Sequence, residues 1–214
     1  MGMALLHRAE LRPTKFELLA AWMPGREWFH GRVGRTVDRV AAYRFDDPAG
    51  QVGIETLLVR TGEGPVHQVP LTYRDAPIEG ADGHLIGVAD HTVLGRRWVY
   101  DAIGDPVYAA ALASAVLAGT GQASEYFESD GGREYRAPSM TVAVVGAGPA
   151  AVPQVGAVLR VVDADPAVVV TDAVELTVCR RLGADRSLPA DAPVLTGTWD
   201  GQPTALALAY ASPR

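Results

Sequence analysis

Short strand-forming segments separated by turn residues fill the first half of the chain and constrain its fold most strongly. Strands are predicted at residues 36–45, 53–60 and 66–73, which are rich in β-branched, aromatic and other apolar residues. The turns between them contain Asp-Asp-Pro-Ala-Gly at 46–50 and Gly-Glu-Gly-Pro at 62–65. Connections this short favour antiparallel neighbours, because a parallel pair needs a long crossover. The pattern therefore predicts a β-meander.

Two helices are predicted to flank this meander. A capping-box pattern at residues 14–17 predicts a helix that runs to about residue 22, where Pro-Gly follows. A second helix is predicted to begin at residues 105–106, because an Asp N-cap precedes Pro at the first helical position. Its Ala-rich body ends at Gly119.

The second half of the chain is rich in Val and Ala and has no helix of useful length in its pattern. The remaining strands are predicted at residues 3–10, 84–88, 96–100, 141–145, 157–162, 173–180, 194–198 and 204–209. Together the patterns predict an α+β fold, with an antiparallel sheet and two or three flanking helices followed by a smaller mostly-β unit. The predicted boundaries are 1–122 for the first domain, 123–138 for a linker or hairpin, and 139–214 for the β unit.

Composition excludes several classes of protein. The chain has 214 residues, 48% hydrophobic and 21% charged, so disorder is not expected. A formal net charge of −6 and the lack of a basic cluster argue against nucleic-acid binding. Cys179 is the single cysteine, no signal-peptide pattern opens the chain, and the apolar stretch at 109–118 is too short to span a bilayer. We therefore expect a cytoplasmic protein that does not enter a membrane.

No cofactor or metal site is predicted. The segment from Gly146 to Ala151 imitates a dinucleotide-binding glycine pattern, but Pro149 and Pro153 bracket the helix that such a site needs after its glycines. The five histidines include no pair at the i, i+4 spacing of a helical metal site. A Gly-rich turn between two strands is the preferred interpretation.

An aromatic and arginine set in the first half supplies the candidate ligand-binding residues. These are Arg26, Trp28, His84, His91, Arg97, Trp98 and Asp101. Aromatic faces beside guanidinium and carboxylate groups suit a sugar or nucleotide pocket. The alternative is that the tryptophans fill a core between sheet and helix.

Four fragments in this half occur together in one known family. They are Trp22-Met23-Pro24, Trp28-Phe29, Val69-Pro70-Leu71 and the run Asp-Ala-Ile-Gly-Asp-Pro at 101–106. In order and spacing the stretch from about residue 18 to 121 resembles the N-terminal cap domain of actinobacterial maltokinase-like enzymes. The resemblance implies a cap scaffold, and a cap normally precedes a kinase.

The second half resembles the strands that open a kinase N-lobe, at residues 139–142 and 174–182. Where that lobe carries an ATP-binding lysine, this chain has Thr177. The His-Gly-Asp catalytic loop and the Asp-Phe-Glu metal motif do not occur in the 214 residues. Phosphoryl transfer depends on these parts, so no kinase activity is expected and no catalytic residue is assigned.

Three hypotheses about function follow. The first is a non-catalytic cap-like module that binds a partner protein or a small ligand, with a sugar kinase or a glucan-metabolising enzyme as candidate partner. The second is a small enzyme with an acid–base pocket at His84, His91, Arg97 and Asp101. The third is a homo-oligomer that pairs exposed sheet edges across a two-fold axis.

Overall fold

The computed structural model describes residues 2–7, 9–129, 131–146, 151–184 and 192–213. The helices are α1 Lys15–Trp22 and α2 Pro106–Leu117, with short 3-10 turns at Met23–Gly25, Asp82–His84 and Ala102–Gly104. The first nine strands are β1 Met3–Leu6, β2 Leu11–Arg12, β3 Val37–Phe45, β4 Gly53–Thr61, β5 His67–Arg74, β6 Leu85–His91, β7 Gly95–Asp101, β8 Ser124–Ser129 and β9 Gly132–Tyr135. The others are β10 Met140–Val145, β11 Val158–Val162, β12 Ala167–Thr171, β13 Val174–Val178, β14 Val194–Trp199 and β15 Gln202–Pro213. The predicted α+β class is confirmed.

The first sheet has six strands in the order β2-β6-β7-β5-β4-β3, and all of its pairs are antiparallel. The predicted meander is its β3-β4-β5 half. Beyond β5 the chain order breaks, because β5 pairs with β7 and leaves β6 one position further out. The short connections alone did not predict this step.

Helix α1 covers one face of the first sheet. The predicted capping box forms: the Thr14 hydroxyl accepts from the Glu17 backbone N–H at 3.2 Å, and the Glu17 carboxylate accepts from the Thr14 N–H at 2.7 Å. Leu19 and the following Met23 are buried against Leu57 and the apolar residues of neighbouring strands. Burial of this kind supplies most of the stability of so short a helix.

Helix α2 lies between the first sheet and the second sheet, which is formed by β10 to β15. Its N-cap is Asp105, whose carboxylate accepts from the Val107 N–H at 2.9 Å, as predicted. The buried side of the helix includes Ala109, Ala113 and Ala115, whose small side chains allow both sheets to approach the helix axis closely. Among the described residues, no helix has the length and apolar character needed to cross a membrane.

The second sheet is antiparallel throughout, in the order β10-β14-β15-β13-β12-β11. The sequence patterns did not predict β12, and the strand predicted over 173–180 ends at Val178. The predicted turn at Asp200-Gly201 does join β14 to β15. The Gly146–Ala151 motif falls partly outside the described residues.

A third, three-stranded sheet has the order β1-β8-β9. β8 and β9 form an antiparallel hairpin, so the segment predicted as a linker or hairpin contains a hairpin. β1 pairs with β8 in parallel, and Met3 lies opposite Ser124 in the register. The first residues of the chain are thereby held beside the segment that leads into the second sheet.

The two large sheets share backbone hydrogen bonds and a core. The Gln68 N–H donates to the Arg180 carbonyl at 2.7 Å, and the Leu182 N–H donates to the Val66 carbonyl at 2.9 Å. The Gln68 side chain also donates to the carbonyls of Cys179 and Leu208 at 3.1 and 2.9 Å. One apolar cluster contains buried residues of both sheets and of α2. The predicted domain boundaries themselves stay a prediction.

Candidate functional site

A buried arginine gathers three of the seven predicted ligand-binding residues, and we call this group the Arg180 centre. Arg180 follows β13 in the second sheet and is 0% exposed. Its Nη2 donates to the carboxylate of Asp101, and it lies 3.3 Å from Oδ1 of Asp163. Its guanidinium carbon is 4.7 Å from the centre of the Trp28 ring. The Arg180 guanidinium therefore makes an ion pair, hydrogen bonds and a cation–π contact at the same time.

Asp163, in the turn after β11, extends the Arg180 centre towards solvent. Its Oδ1 accepts from the Trp28 indole N–H at 2.7 Å. Its Oδ2 lies 3.7 Å from Nη1 of Arg26, and the Arg26 guanidinium is in turn 5.0 Å from the centre of the Trp22 ring. The Asp163 carboxylate thus contacts Trp28 and Arg26 directly. It also contacts Arg180, which in turn binds Asp101.

The electrostatics of the Arg180 centre favour an ion pair. Burial lowers the pKa of Arg180, but the carboxylate of Asp101 outweighs burial and the net shift is upward. Burial raises the pKa of Asp101, and although Arg180 opposes that shift, the net direction is upward. Because a guanidinium keeps its proton in proteins, Asp101 faces a full positive charge and we treat the two as ionised.

The Arg180 centre is closed to solvent at its middle. Asp101 is 1% exposed and Trp28 is 2% exposed. Nε and Nη1 of Arg180 and Oδ1 of Asp101 are buried and make no hydrogen bond among the described residues. A substrate would have no approach to these groups, so the arrangement joins the first sheet to the second and offers no open reaction site.

The other predicted residues lie at the end of the 3-10 turn Asp82–His84 and along β6 and β7. His84 packs against Gly104, where an added Cβ would come within 2.3 Å of the imidazole, and it makes the smallest of the contributions that oppose the upward shift in the pKa of Asp101. His91 pairs with Gly95, which begins β7, whereas Asp101 ends the same strand. At the usual rise per residue of a strand, the two ends are roughly 20 Å apart. The structure therefore keeps His91 apart from the Arg180 centre.

Arg97 and Trp98 are also outside the Arg180 centre. Arg97 lies opposite Ala89, and its Nη1 donates to the carbonyl of Arg96 at 3.3 Å. Trp98 is half-buried, between Val88 and Arg74 in the sheet register. The four residues of the acid–base hypothesis do not converge on one pocket.

A second buried charge centre was not predicted from the sequence. Glu55 of β4 is 5% exposed; both of its carboxylate oxygens lie 2.8 Å from Nζ of Lys15, and Oε2 accepts from the Tyr73 hydroxyl at 2.8 Å. Arg44 of β3 lies 3.1 Å from it. Burial raises the pKa of Glu55, but Arg44 and Lys15 outweigh burial and lower it to about 2. The feature of the sequence that could have indicated this centre is Glu55, the single acidic residue within the largely apolar strand β4.

An open cleft lies along the outer side of α2, and we call it the α2 cleft. Its volume is about 520 Å³, within the range of small-molecule sites. The floor is an i, i+3, i+4 stripe of the helix, Pro106, Val107, Ala110, Ala111 and Ser114. Its walls are residues 45–48 and 155–156. None of the seven predicted residues lines it. Sequence patterns did not indicate this cleft, because the alanines of its floor carry no chemical signal.

Hydrogen bonds fix both walls of the α2 cleft. The Asp47 carboxylate accepts from the backbone N–H groups of Ala49, Gln51 and Val52 at 2.9–3.1 Å, which sets the turn between β3 and β4. On the other wall the Gly156 N–H donates to the Asp172 carboxylate at 3.0 Å. The cleft is therefore formed before any ligand arrives.

Comparison with known proteins addresses the first half of the chain. Residues 22–105 match the family model of the maltokinase N-terminal cap domain. This stretch runs from the end of α1 to the N-cap of α2, and it contains both Trp28 and Asp101. No match is found among the curated proteins. The chain thus resembles the N-terminal cap domain of maltokinase-like kinases over the five longer strands of its first sheet.

Proposed function

We propose that the chain is a non-catalytic, cytoplasmic cap-like module that binds a partner protein or a small ligand within α-glucan or sugar-phosphate metabolism. The observation that carries this proposal is the closed Arg180 centre. Arg26, Trp28 and Asp101 of the matched region, which could serve a ligand pocket, are engaged in holding Arg180 and Asp163 of the second half of the chain.

The second sheet supports the same conclusion. It contributes Arg180 and Asp163 to the contact with the first sheet. At the position where the kinase resemblance implies a phosphate-binding lysine it has Thr177, which is buried. The 214 residues contain neither the His-Gly-Asp loop nor the Asp-Phe-Glu motif. A binding module needs none of these groups, whereas phosphoryl transfer depends on them.

The experiment is a crosslinked pull-down of the tagged chain from its native lysate, followed by titration of the purified partner. We expect one sugar kinase or glucan-metabolising enzyme at near-equal stoichiometry, with complex formation reproduced by the two purified proteins. Phosphorylation assays with ATP and maltose or glucosamine are the companion measurement. Stoichiometric product formation by the pure chain would refute the non-catalytic assignment.

A homo-oligomer is the second candidate, because the second sheet ends in an apolar edge strand. Leu159 and Val162 of β11 are 60% and 39% exposed, and among the described strands β11 pairs with β12 alone. Such an edge can pair with another copy. Light scattering at micromolar concentration decides this candidate, since a monomeric mass would contradict it.

A further inference from the structure

The charged residues of the α2 cleft are all acidic. Asp46 and Asp47 stand on one wall, and no described lining residue is Lys or Arg. Asp47 has its oxygens occupied by backbone N–H groups. Asp46 is exposed, and among the described residues its Oδ2 takes part in one weak hydrogen bond, accepting from the Met3 N–H at 3.3 Å. Asp46 is therefore the carboxylate available to a ligand.

Acidic charge also lies behind the opposite wall. Asp172 bonds to the Gly156 N–H, and that bond together with the one from Ala157 lowers the pKa of Asp172. Arg74 is a described cation close enough to Asp47 to interact with it electrostatically. Its guanidinium already donates to both carboxylate oxygens of Asp105, at 2.6 and 2.7 Å. Arg74 is therefore neutralised by Asp105, and the described residues that line the cleft carry carboxylates and no Lys or Arg side chain.

We propose that the α2 cleft binds a small organic cation, an amine or a guanidine on an apolar body, with the body on the α2 stripe and the cation at Asp46. This inference rests on the proposed function, since it assigns the small-ligand role of the module to a place and a ligand class. The floor of Val107, Ala110 and Ala111 gives an apolar body a matching surface. A phosphorylated or carboxylated ligand would instead meet acidic walls.

The test is a titration of the full ¹⁵N-labelled chain with three probes that share one apolar body. Phenethylamine carries the cation, 2-phenylethanol is neutral, and phenylacetate is the anion. We expect phenethylamine to shift the amide signals of Asp47, Ala110, Ala111 and Gly156 and to bind about three- to fivefold more tightly than the alcohol. Phenylacetate should bind most weakly.

Two variants assign the effect to Asp46 and to the floor. Asp46→Asn should remove the preference for the amine over the alcohol, whereas Asp90→Asn, a charge change on β6 that does not line the cleft, should keep it. Ala110→Leu should fill the floor and abolish binding of all three probes. Ser114→Leu replaces Ala110→Leu if the latter lowers the melting temperature.

Equal affinity for phenethylamine and phenylacetate would overturn the proposal, as would amide shifts located away from the α2 cleft. Loss of the amine preference in Asp90→Asn would also overturn it. Failure of the titration beside a successful partner pull-down would reject this ligand class and leave the cap-like module standing. A failed pull-down beside a specific amine titration would reject the protein partner alone.

Discussion

Arg180 and Trp28 come from opposite halves of the chain, and the guanidinium carbon of Arg180 lies 4.7 Å from the centre of the Trp28 ring. The same indole donates to Asp163, so the second sheet holds Trp28 by its face and by its N–H. This pair is one of the contacts between the region that matches the cap domain and the sheet that follows it. Its energetics can be measured by substitution.

Replacing Arg180 by Met should destabilise the chain by about 3–5 kcal/mol, because it leaves the buried Asp101 without its counter-ion. Urea denaturation followed by circular dichroism measures the loss. The double variant Arg180→Met with Asp101→Leu should recover most of it, since no buried charge remains. A single-variant cost below about 1 kcal/mol would contradict the ion-pair assignment.

Replacing Trp28 by Phe should cost about 1–2 kcal/mol, because the smaller ring keeps a face for Arg180 but loses the N–H bond to Asp163. Thermal unfolding of the purified variant provides the measurement. Trp98→Phe is the matched control on the half-buried strand position of β7, and its effect should be smaller. Equal losses for the two variants would show that the bond to Asp163 contributes nothing.

Glu55 should make the chain sensitive to acid below about pH 4.5. The pKa of Glu55 is about 2 in the fold against an ordinary value of 4.5, so the unfolded chain binds its proton first. This contribution, about 3 kcal/mol, is present above pH 4.5 and disappears as the pH falls towards 2. Glu55→Gln should therefore be destabilised at pH 7 and should approach the parent chain near pH 2.

The exposed Glu128→Gln variant is the control for this experiment. Its free energy of unfolding should follow that of the parent at each pH. A constant difference between Glu55→Gln and the parent from pH 7 to pH 2 would show that Glu55 titrates normally in the fold.

His67 should add a second acid-sensitive step at higher pH. Burial and the neighbouring His30 lower the pKa of His67 to about 4 from an ordinary 6.5, so unfolding takes up a proton between these values. Stability should be complete above pH 6.5 and should fall as the pH drops towards 4. His67→Gln, which can still accept from the His30 N–H, should flatten the stability curve in this window.

A chain ending at residue 138 should not fold. The inner face of the first sheet and α2 would lose the second sheet that covers them, which leaves residues such as Leu112 and Leu58 in water. The dispersion of amide signals in a ¹⁵N spectrum is the readout. Cooperative unfolding of this fragment would show that the first half is an independent domain.

Local patterns predicted most elements of the fold but not the way they meet. The capping box at Thr14 and the N-cap at Asp105 depend on neighbours in sequence, and both form as predicted. The short connections between β3, β4 and β5 likewise predicted their antiparallel pairing. β12 was missed because its apolar run follows closely after β11 and carries no alternation.

The candidate site depended on contacts that no local pattern encodes. Trp28 and Asp163 are 135 residues apart, and Arg180 and Asp101 are 79 apart. The sequence indicated the right kinds of residue in Arg26, Trp28 and Asp101, but their partners lie in the other half of the chain. The α2 cleft could not be predicted from the sequence for a different reason. Its floor contains alanine and valine side chains, which carry no functional group that a sequence pattern could reveal.

The parallel pairing of β1 with β8 has a consequence for synthesis on the ribosome. Met3–Leu6 is made before its partner Ser124–Ser129, which leaves the ribosome more than a hundred residues later. At translation rates of about 5–20 residues per second, the first strand waits several seconds without a neighbour. Pairing between β1 and β8 therefore cannot begin until the strands of the first sheet and helix α2 have all been made.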